Sequence, residues 1–225
     1  MTALAASEAY RLWAPTYERE NVVTTLECAL LEQLSPPPRG LRLLDVGCGT
    51  GRRLVGTGAA RAVGVEPCAE MLAAGRRARD FGPEIELLEG DARALPLPDG
   101  GFDLVWCRLV IGHLPDCAAV YRELGRVAAP GALVVVTDFH PAAYEAGMRR
   151  TFRAGEEVIE VEHHVHTADR QIAAAAAAGL VLADTAQAAV GPRVRPFYAA
   201  ARKERLYAEQ RGQPLVLGMA FGRDG

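Results

Sequence analysis

Short, almost uninterrupted apolar runs recur along the middle of the chain, and the stretches between them are long enough to form helices. These runs lie at 41–46, 62–66, 85–88, 102–106 and 132–136. Strands that are apolar on both faces are typical of a parallel sheet covered by helices on both sides. The pattern therefore predicts a doubly wound α/β fold.

The two ends of the chain follow other patterns. Apolar side chains at helical spacing over 7–34 stop at three consecutive prolines, Pro36 to Pro38, which predicts an N-terminal helical segment. Beyond Asp138 we predict a polar, histidine-bearing segment at 156–167, a helix at 169–178, a strand at 180–190, a helix at 197–210 and a strand at 214–221. No internal repeat or linker indicates a second domain.

The composition is that of an ordinary globular protein, with 50% hydrophobic and 24% charged residues among 225. A net charge of -3 and a single lysine, Lys203, leave no basic footprint for phosphates, so we expect no nucleic-acid partner. Five cysteines without CxxC spacing indicate free thiols in a reducing compartment. Because neither a basic leader nor a long apolar span occurs, we expect a cytoplasmic protein without a membrane partner.

A glycine-rich turn follows the first predicted strand. Gly47, Gly49 and Gly51 come directly after the apolar run 41–46, and a helix is predicted to begin near Arg52. In an open parallel sheet, ligands bind beyond the carboxyl ends of the strands, where glycines let the backbone approach them. The turn therefore predicts a ligand cradle. Its GxGxG spacing brings the third glycine one residue early for the dinucleotide-binding fingerprint.

Acidic residues stand at the ends of the next two predicted strands. Glu66 ends the second strand, where a carboxylate can accept hydrogen bonds from both hydroxyls of a ribose. Asp91, in the run Gly90-Asp91-Ala92 after the third strand, is placed where an adenine amino group would lie, and a local Asx turn is an open alternative. Together with the glycine turn, these positions predict a nucleoside-containing ligand.

Read in order, the motifs resemble the class I S-adenosylmethionine-dependent methyltransferases, in particular their type 11 small-molecule subgroup. The resemblance runs from Tyr10 to about Phe139. Its motifs are the turn within 43–51, Gly64-Val65-Glu66-Pro67 with Glu70-Met71-Leu72, Gly90-Asp91-Ala92 with Leu95-Pro96, Phe102-Asp103-Leu104-Val105, His113-Leu114-Pro115-Asp116, and 124–137 around Pro130-Gly131.

The resemblance implies S-adenosylmethionine as the cofactor and S-adenosylhomocysteine as the product. Asp45 and the glycine turn would contact the amino acid part, Glu66 the ribose, and Asp91 the adenine. An N-terminal helix would close over the cofactor. The full set of implied cofactor contacts is Tyr10, Trp13, Tyr17, Asp45, Gly47, Cys48, Gly49, Gly51, Glu66, Pro67, Met71, Asp91, Ala92, Cys107 and Arg108.

The resemblance also implies the architecture. We expect a seven-stranded, Rossmann-like sheet in the order 3-2-1-4-5-7-6 with an antiparallel last strand. The predicted strands at 180–190 and 214–221 would be the sixth and seventh. We expect a single methyltransferase domain over 1–225, with an N-terminal helical cap at 1–38, a cofactor-binding core at 39–139, and an acceptor-side lid with the C-terminal strands at 140–225.

Candidate groups for the chemistry itself are few. Methyl transfer is an in-line displacement in which positioning carries much of the rate, and a base is needed only if the acceptor bears a proton in the transition state. His140 follows the fifth strand and is the candidate base, with a purely structural role equally open. His163, His164 and His166 form a cluster with Glu162 as the only close acid, so we predict a polar lid and no metal site.

These features predict a methyltransferase for a small organic acceptor such as a secondary metabolite, acting as a monomer or homodimer. One alternative is a non-catalytic protein of the same fold that binds S-adenosylmethionine or a partner, since fold does not determine function. The intact glycine turn disfavours it. A nicotinamide-dependent oxidoreductase is a second alternative, which the glycine spacing and Asp91 disfavour.

Overall fold

Two sheets, eight α-helices and three short 3₁₀ helices lie in residues 3–224, the part of the chain that the computed structural model describes. The strands are β1 (Ala3–Leu4), β2 (Arg42–Val46), β3 (Arg61–Glu66), β4 (Ile85–Glu89), β5 (Phe102–Arg108), β6 (Ala128–Phe139), β7 (Thr151–Ala154), β8 (Glu157–Val161), β9 (Leu180–Ala189) and β10 (Pro214–Arg223). The helices are α1 (Ala6–Trp13), α2 (Val22–Leu34), α3 (Ala69–Ala78), α4 (Ala118–Val127), α5 (Pro141–Glu145), α6 (Ala168–Ala177), α7 (Arg195–Ala200) and α8 (Glu204–Gln210).

The larger sheet has the strand order β4-β3-β2-β5-β6-β10-β9. Counted along the chain within this sheet, the order is 3-2-1-4-5-7-6, and β10 is antiparallel to both of its neighbours. The predicted α/β fold, strand order and antiparallel last strand are therefore confirmed.

Both faces of this sheet are buried, which explains the continuous apolar runs. Successive residues of a strand point to opposite faces. Leu44 and Val46 accordingly pack into the core cluster on the side of α4 and α6, whereas Leu43 packs with Leu31 and Leu34 of α2 on the other side.

Three helical predictions are corrected by the structure. No helix begins near Arg52, because Gly51, Gly56 and Gly58 all have positive φ and leave too few residues between them for a stable helix. The segment 7–34 is two helices, because Pro15 follows the end of α1 and the Asn21 side chain caps the start of α2.

The predicted helix at 197–210 is likewise divided into α7 and α8. The break lies at Arg202, whose φ of 54° is incompatible with a continuous right-handed helix.

A small second sheet was not predicted. It has the order β1-β8-β7, with β1 parallel to β8 and β7 antiparallel to β8. This sheet connects the N-terminal segment to the insertion between β6 and α6. The three histidines of the predicted polar segment lie beyond the end of β8. No helix within residues 3–224 has both the length and the apolar character needed to cross a membrane.

Candidate functional site

A cavity of about 740 Å³ lies at the carboxyl ends of β2, β3, β4 and β5. Helix α1 contributes Tyr10 and Ser7 to its wall, and the segment after β8 contributes Glu162 and His164. Its volume is typical of a site for a small molecule or cofactor. The cavity is therefore at the edge of the sheet where the sequence predicted a ligand.

The floor of the cavity is bare backbone at Gly47 and Gly49. These residues have φ angles of 71° and 60°, in the left-handed region that favours glycine. A Cβ on Gly47 would overlap Cγ2 of Val110, and a Cβ on Gly49 would lie 3.1 Å from the Tyr17 ring. The floor therefore admits no side chain, and a ligand can approach the main chain directly.

The Glu66 carboxylate is held against this floor. Its Oε2 accepts a hydrogen bond from Gly49 N at 3.0 Å, and its Oε1 accepts one from Cys68 N at 3.1 Å. Burial raises the pKa of Glu66 to about 7, although both backbone hydrogen bonds act to lower it. Each oxygen retains a lone pair, so the carboxylate can still accept hydrogen bonds from a ligand in the cavity.

A buried charge cluster lies behind the glycine floor. Arg108 lines the cavity and forms a bidentate ion pair with Glu27 of α2, at 2.8 and 2.5 Å. Its Nη1 is 3.8 Å from Oδ2 of Asp45. Burial raises the pKa of Asp45 to about 6, and its Oδ1 has no hydrogen-bond partner among the described residues. A buried acceptor without a protein donor is unusual, and a donor group of a ligand would fit this position.

Asp91 and Ala92 line the cavity at the end of β4. The Asp91 carboxylate accepts a hydrogen bond from Arg93 N at 2.8 Å and pairs with the Arg93 guanidinium at 2.6 Å. Hydrogen bonding to Arg93 lowers the pKa of Asp91. The Asx turn that was the open alternative is thus formed, and Asp91 is at the same time one of the residues that line the cavity.

Aromatic rings close the cavity from the N-terminal side. Tyr10 and Tyr17 line it, whereas Trp13 stands behind them and stacks on Phe152 of β7 with ring centroids 4.8 Å apart. Tyr10 also stacks on Trp13. This stack ties α1 to the small sheet, so the covering segment is held from two parts of the chain.

The structure brings nine of the sequence-predicted contact residues together around the cavity and places the others outside its lining. The lining includes Tyr10, Tyr17, Gly47, Gly49, Glu66, Pro67, Asp91, Ala92 and Arg108. Outside the lining lie Trp13, Asp45, Cys48, Gly51, Met71 and Cys107. Of these, Asp45 and Met71 are buried, with Cε of Met71 3.2 Å from where a Cβ on Gly49 would lie, and Cys107 is a residue of β5 whose side chain is enclosed in the core.

His140, the candidate base, also lies outside the lining. Its Nδ1 accepts a hydrogen bond from Ala142 N at 3.1 Å and thereby caps α5. Burial lowers its pKa. Within residues 3–224, no group of three or more His, Cys, Asp or Glu side chains is arranged to hold a metal ion.

Two polar residues that contact the cavity wall from behind, Glu27 and Arg150, were not predicted from the sequence, nor were the hydrogen bonds of His113 to Tyr10 and Arg150. Arg150 hydrogen-bonds to both Tyr10 and His113 from the segment before β7. Glu27 carried a signal, because it is an acidic residue on the buried face of α2. Arg150 carried none, since its neighbours in the sequence follow no regular pattern.

Comparisons with known proteins relate the chain to methyltransferases. Residues 44–136 match the family model described as "Methyltransferase domain", Methyltransf_11. The chain is 33% identical over 152 residues to the 27-O-demethylrifamycin SV methyltransferase of Amycolatopsis mediterranei, covering 63% of this chain and 56% of that protein. It is 41% identical over 108 residues to the demethylmenaquinone methyltransferase of Thermus thermophilus, covering 44% and 48%.

The fold is also similar to that of a solved protein. An S-adenosylmethionine-dependent methyltransferase from Mesorhizobium loti superimposes with a TM-score of 0.69 at 21% identity, covering 88% of this chain and 98% of that one. The chain spans only about half the length of the two relatives matched by sequence. The residues that match the family model, 44–136, contain the glycine turn and the strand ends that form the cavity.

Proposed function

We propose that the chain transfers the methyl group of S-adenosylmethionine to a small organic acceptor, because residues 44–136 match the methyltransferase-domain family model and the fold is similar to that of a solved S-adenosylmethionine-dependent methyltransferase. The observation that carries the proposal is the buried Glu66 carboxylate beside the bare backbone of Gly47 and Gly49. Two of the relatives are named for the small acceptors 27-O-demethylrifamycin SV and demethylmenaquinone, which supports a small acceptor here.

The residues at the cavity fit this cofactor. Glu66 offers two carboxylate oxygens to the hydroxyls of a ribose. The unsatisfied Oδ1 of Asp45 lies behind the floor where the amino acid part would approach, so an ammonium group there would offset its burial. Gly47 and Gly49 provide the close backbone approach that a side chain would block.

When bound, S-adenosylmethionine supplies a sulfonium methyl carbon that an acceptor nucleophile attacks in line. The contribution of this chain is to hold and desolvate the reactants. Glu66 and the floor orient the nucleoside, and such positioning can account for about 7–11 kcal/mol of a barrier. Tyr10 and Tyr17 exclude water from the side of α1. A role for His140 as general base stays a prediction.

A titration calorimetry experiment tests the proposal. The chain is expected to bind S-adenosylhomocysteine at one saturable site and to give no heat of binding with NAD⁺ under the same conditions. The bound nucleoside should also raise the melting temperature, since a ligand that binds only the folded state stabilises it. If S-adenosylhomocysteine does not bind, or if NAD⁺ binds in its place, the proposal fails.

A further inference from the structure

Arg150 is a buried cation at the site that lacks an anionic partner. Its exposed fraction is 8%, and it forms an ion pair with no carboxylate within the described residues 3–224. Arg108, the other buried arginine here, is paired with Glu27. Burying a charge without a counter-charge is costly, so an unpaired buried arginine needs an explanation beyond stability.

The contacts of Arg150 all lead to residues of the cavity wall. Its Nη1 donates to the Leu109 carbonyl at 3.0 Å and to Nε2 of His113 at 2.8 Å, and its Nη2 donates to the Tyr10 hydroxyl oxygen at 3.0 Å. Leu109, His113 and Tyr10 each line the cavity. Leu109 also has a φ of 58°, an unusual value for a leucine. Strained backbone of this kind clusters at functional sites.

In each of these hydrogen bonds Arg150 is the donor. A guanidinium only donates, so Nε2 of His113 must be the accepting, unprotonated nitrogen. Burial and the charge of Arg150 both lower the pKa of His113, which keeps the ring neutral. The Tyr10 hydroxyl oxygen lies 2.9 Å from the same Nε2, so its hydrogen competes with Arg150 for that one lone pair. Because the guanidinium occupies the lone pair as well, the Tyr10 hydroxyl, which accepts from Arg150, can turn its hydrogen from Nε2 towards an anionic ligand in the cavity.

No carboxylate of the chain neutralises this group at close range. Asp138 acts on Arg150 electrostatically without reaching ion-pair distance, and burial raises the pKa of Asp138 to about 7. The backbone carbonyl oxygen of Glu162 lies 3.5 Å from Nδ1 of His113. The wall around Tyr10 thus combines a hydroxyl that can donate to a ligand in place of Nε2 of His113 with a positive charge behind it, an arrangement that suits an anionic oxygen.

We propose that Tyr10, positioned and polarised by Arg150, binds an acidic oxygen of the methyl acceptor, such as the ionised hydroxyl of a phenol or enol. The inference rests on the proposed function and names the chemical class of the acceptor. Arg150 acts through Tyr10 and is a positioning residue. The group lies where α1, the turn after β5 and the segment before β7 meet. The residues that fit the nucleoside lie at the ends of β2, β3 and β4.

The test uses 4-nitrophenol as an acceptor probe, added to the full chain saturated with S-adenosylhomocysteine. Tyr10→Phe removes only the hydroxyl and keeps the stacking on Trp13, and Arg150→Gln removes the charge. Each is expected to weaken binding of 4-nitrophenolate about tenfold or more, because a hydrogen bond to a charged group is lost. Arg150→Lys should restore part of the affinity, since it restores the charge without the planar fork.

A spectroscopic measurement separates this role from a structural one. The visible absorbance of the phenolate reports the apparent pKa of bound 4-nitrophenol. The wild-type chain should lower that pKa relative to the free probe, because a nearby cation favours the charged form, and Arg150→Gln should reverse the effect. Matched controls are Tyr207→Phe on α8 and Arg149→Gln, which pairs with Glu160 outside the cavity. They should leave both quantities unchanged.

The outcomes separate the two proposals. If the wild-type complex does not bind 4-nitrophenolate, or if the variants bind it equally well, the inference is wrong. A loss of affinity for S-adenosylhomocysteine in Tyr10→Phe, with 5′-methylthioadenosine still bound normally, would assign the group to the carboxylate of the donor and would also overturn it. If the wild-type chain binds no S-adenosylhomocysteine, the proposed function fails and this inference fails with it.

Discussion

Replacing Gly47 with alanine is expected to weaken the binding of S-adenosylhomocysteine by at least about 100-fold, or about 2.7 kcal/mol. Two effects add at this position. A residue with a Cβ costs about 1–2 kcal/mol in the left-handed region, and Gly47 has a φ of 71°. The new methyl group would also overlap Cγ2 of Val110, so that the floor or the turn after β5 must move. Calorimetric titration measures the change in affinity.

Two further variants separate steric overlap from backbone strain. Gly40→Ala has the same strain, with a φ of 77°, but no atom lies within 4 Å of the added Cβ. It should lower the stability by about 1–2 kcal/mol and leave the affinity unchanged. In the double variant Gly47→Ala/Val110→Ala the overlap is removed, and we expect it to bind S-adenosylhomocysteine about tenfold more tightly than the Gly47→Ala single variant does. Wild-type affinity in the Gly47→Ala single variant would show that the floor is not the ligand site.

Replacing Glu66 with glutamine is expected to weaken the binding of S-adenosylhomocysteine about 100-fold near pH 8. The carboxylate would accept two hydrogen bonds from the ribose, and hydrogen bonds to a charged group contribute about 1.5–3 kcal/mol each. The amide of glutamine carries no charge and must place its NH₂ group against one of two backbone donors, Gly49 N or Cys68 N. Glu89→Gln, at the exposed end of β4, is the matched control and should bind normally.

The same group makes binding depend on pH. Burial raises the pKa of Glu66 to about 7 in the free protein, so the carboxyl is largely protonated below that pH. Ribose hydroxyls donate to the ionised form, and binding must therefore release a proton below about pH 7. The affinity should rise between about pH 5.5 and 7.5 and level off above, with proton release measurable in buffers of different ionisation heat.

The variant Glu66→Gln tests whether Glu66 causes this pH dependence. In Glu66→Gln the rise in affinity over this pH range should disappear, because no titrating group remains at that position. An equally steep rise in the variant would assign the pH dependence to another group, such as Asp45, whose pKa burial raises to about 6.

Burial explains how much of the fold could be predicted. The strands β2 and β3 are enclosed on both faces, so their sequences are continuous apolar runs that indicate a parallel sheet without further information. The ends of parallel strands meet at one edge of the sheet. The positions of Gly47, Glu66 and Asp91 at a common cavity therefore followed from the strand assignments and the resemblance to a known family.

The rest depends on contacts that local patterns do not encode. Arg150 reaches Tyr10 across 140 residues, and Arg108 reaches Glu27 across 81. The small sheet is mostly exposed on one face, with Phe152 and Val161 as its buried side chains, so its strands have no continuous apolar run. Regular patterns thus identified the part that fits the donor, and the wall proposed for the acceptor became visible only in three dimensions.

The central claim, that the cavity holds the methyl donor with its ribose on Glu66, is tested most directly by a crystal structure of the chain with S-adenosylhomocysteine. We predict that both ribose hydroxyls lie within hydrogen-bond distance of the Glu66 carboxylate, with the adenine beside Asp91 and Ala92. The amino acid part should lie over Gly47 and Gly49. A ligand bound elsewhere, or one in the cavity that leaves Glu66 without a ribose contact, would contradict the account.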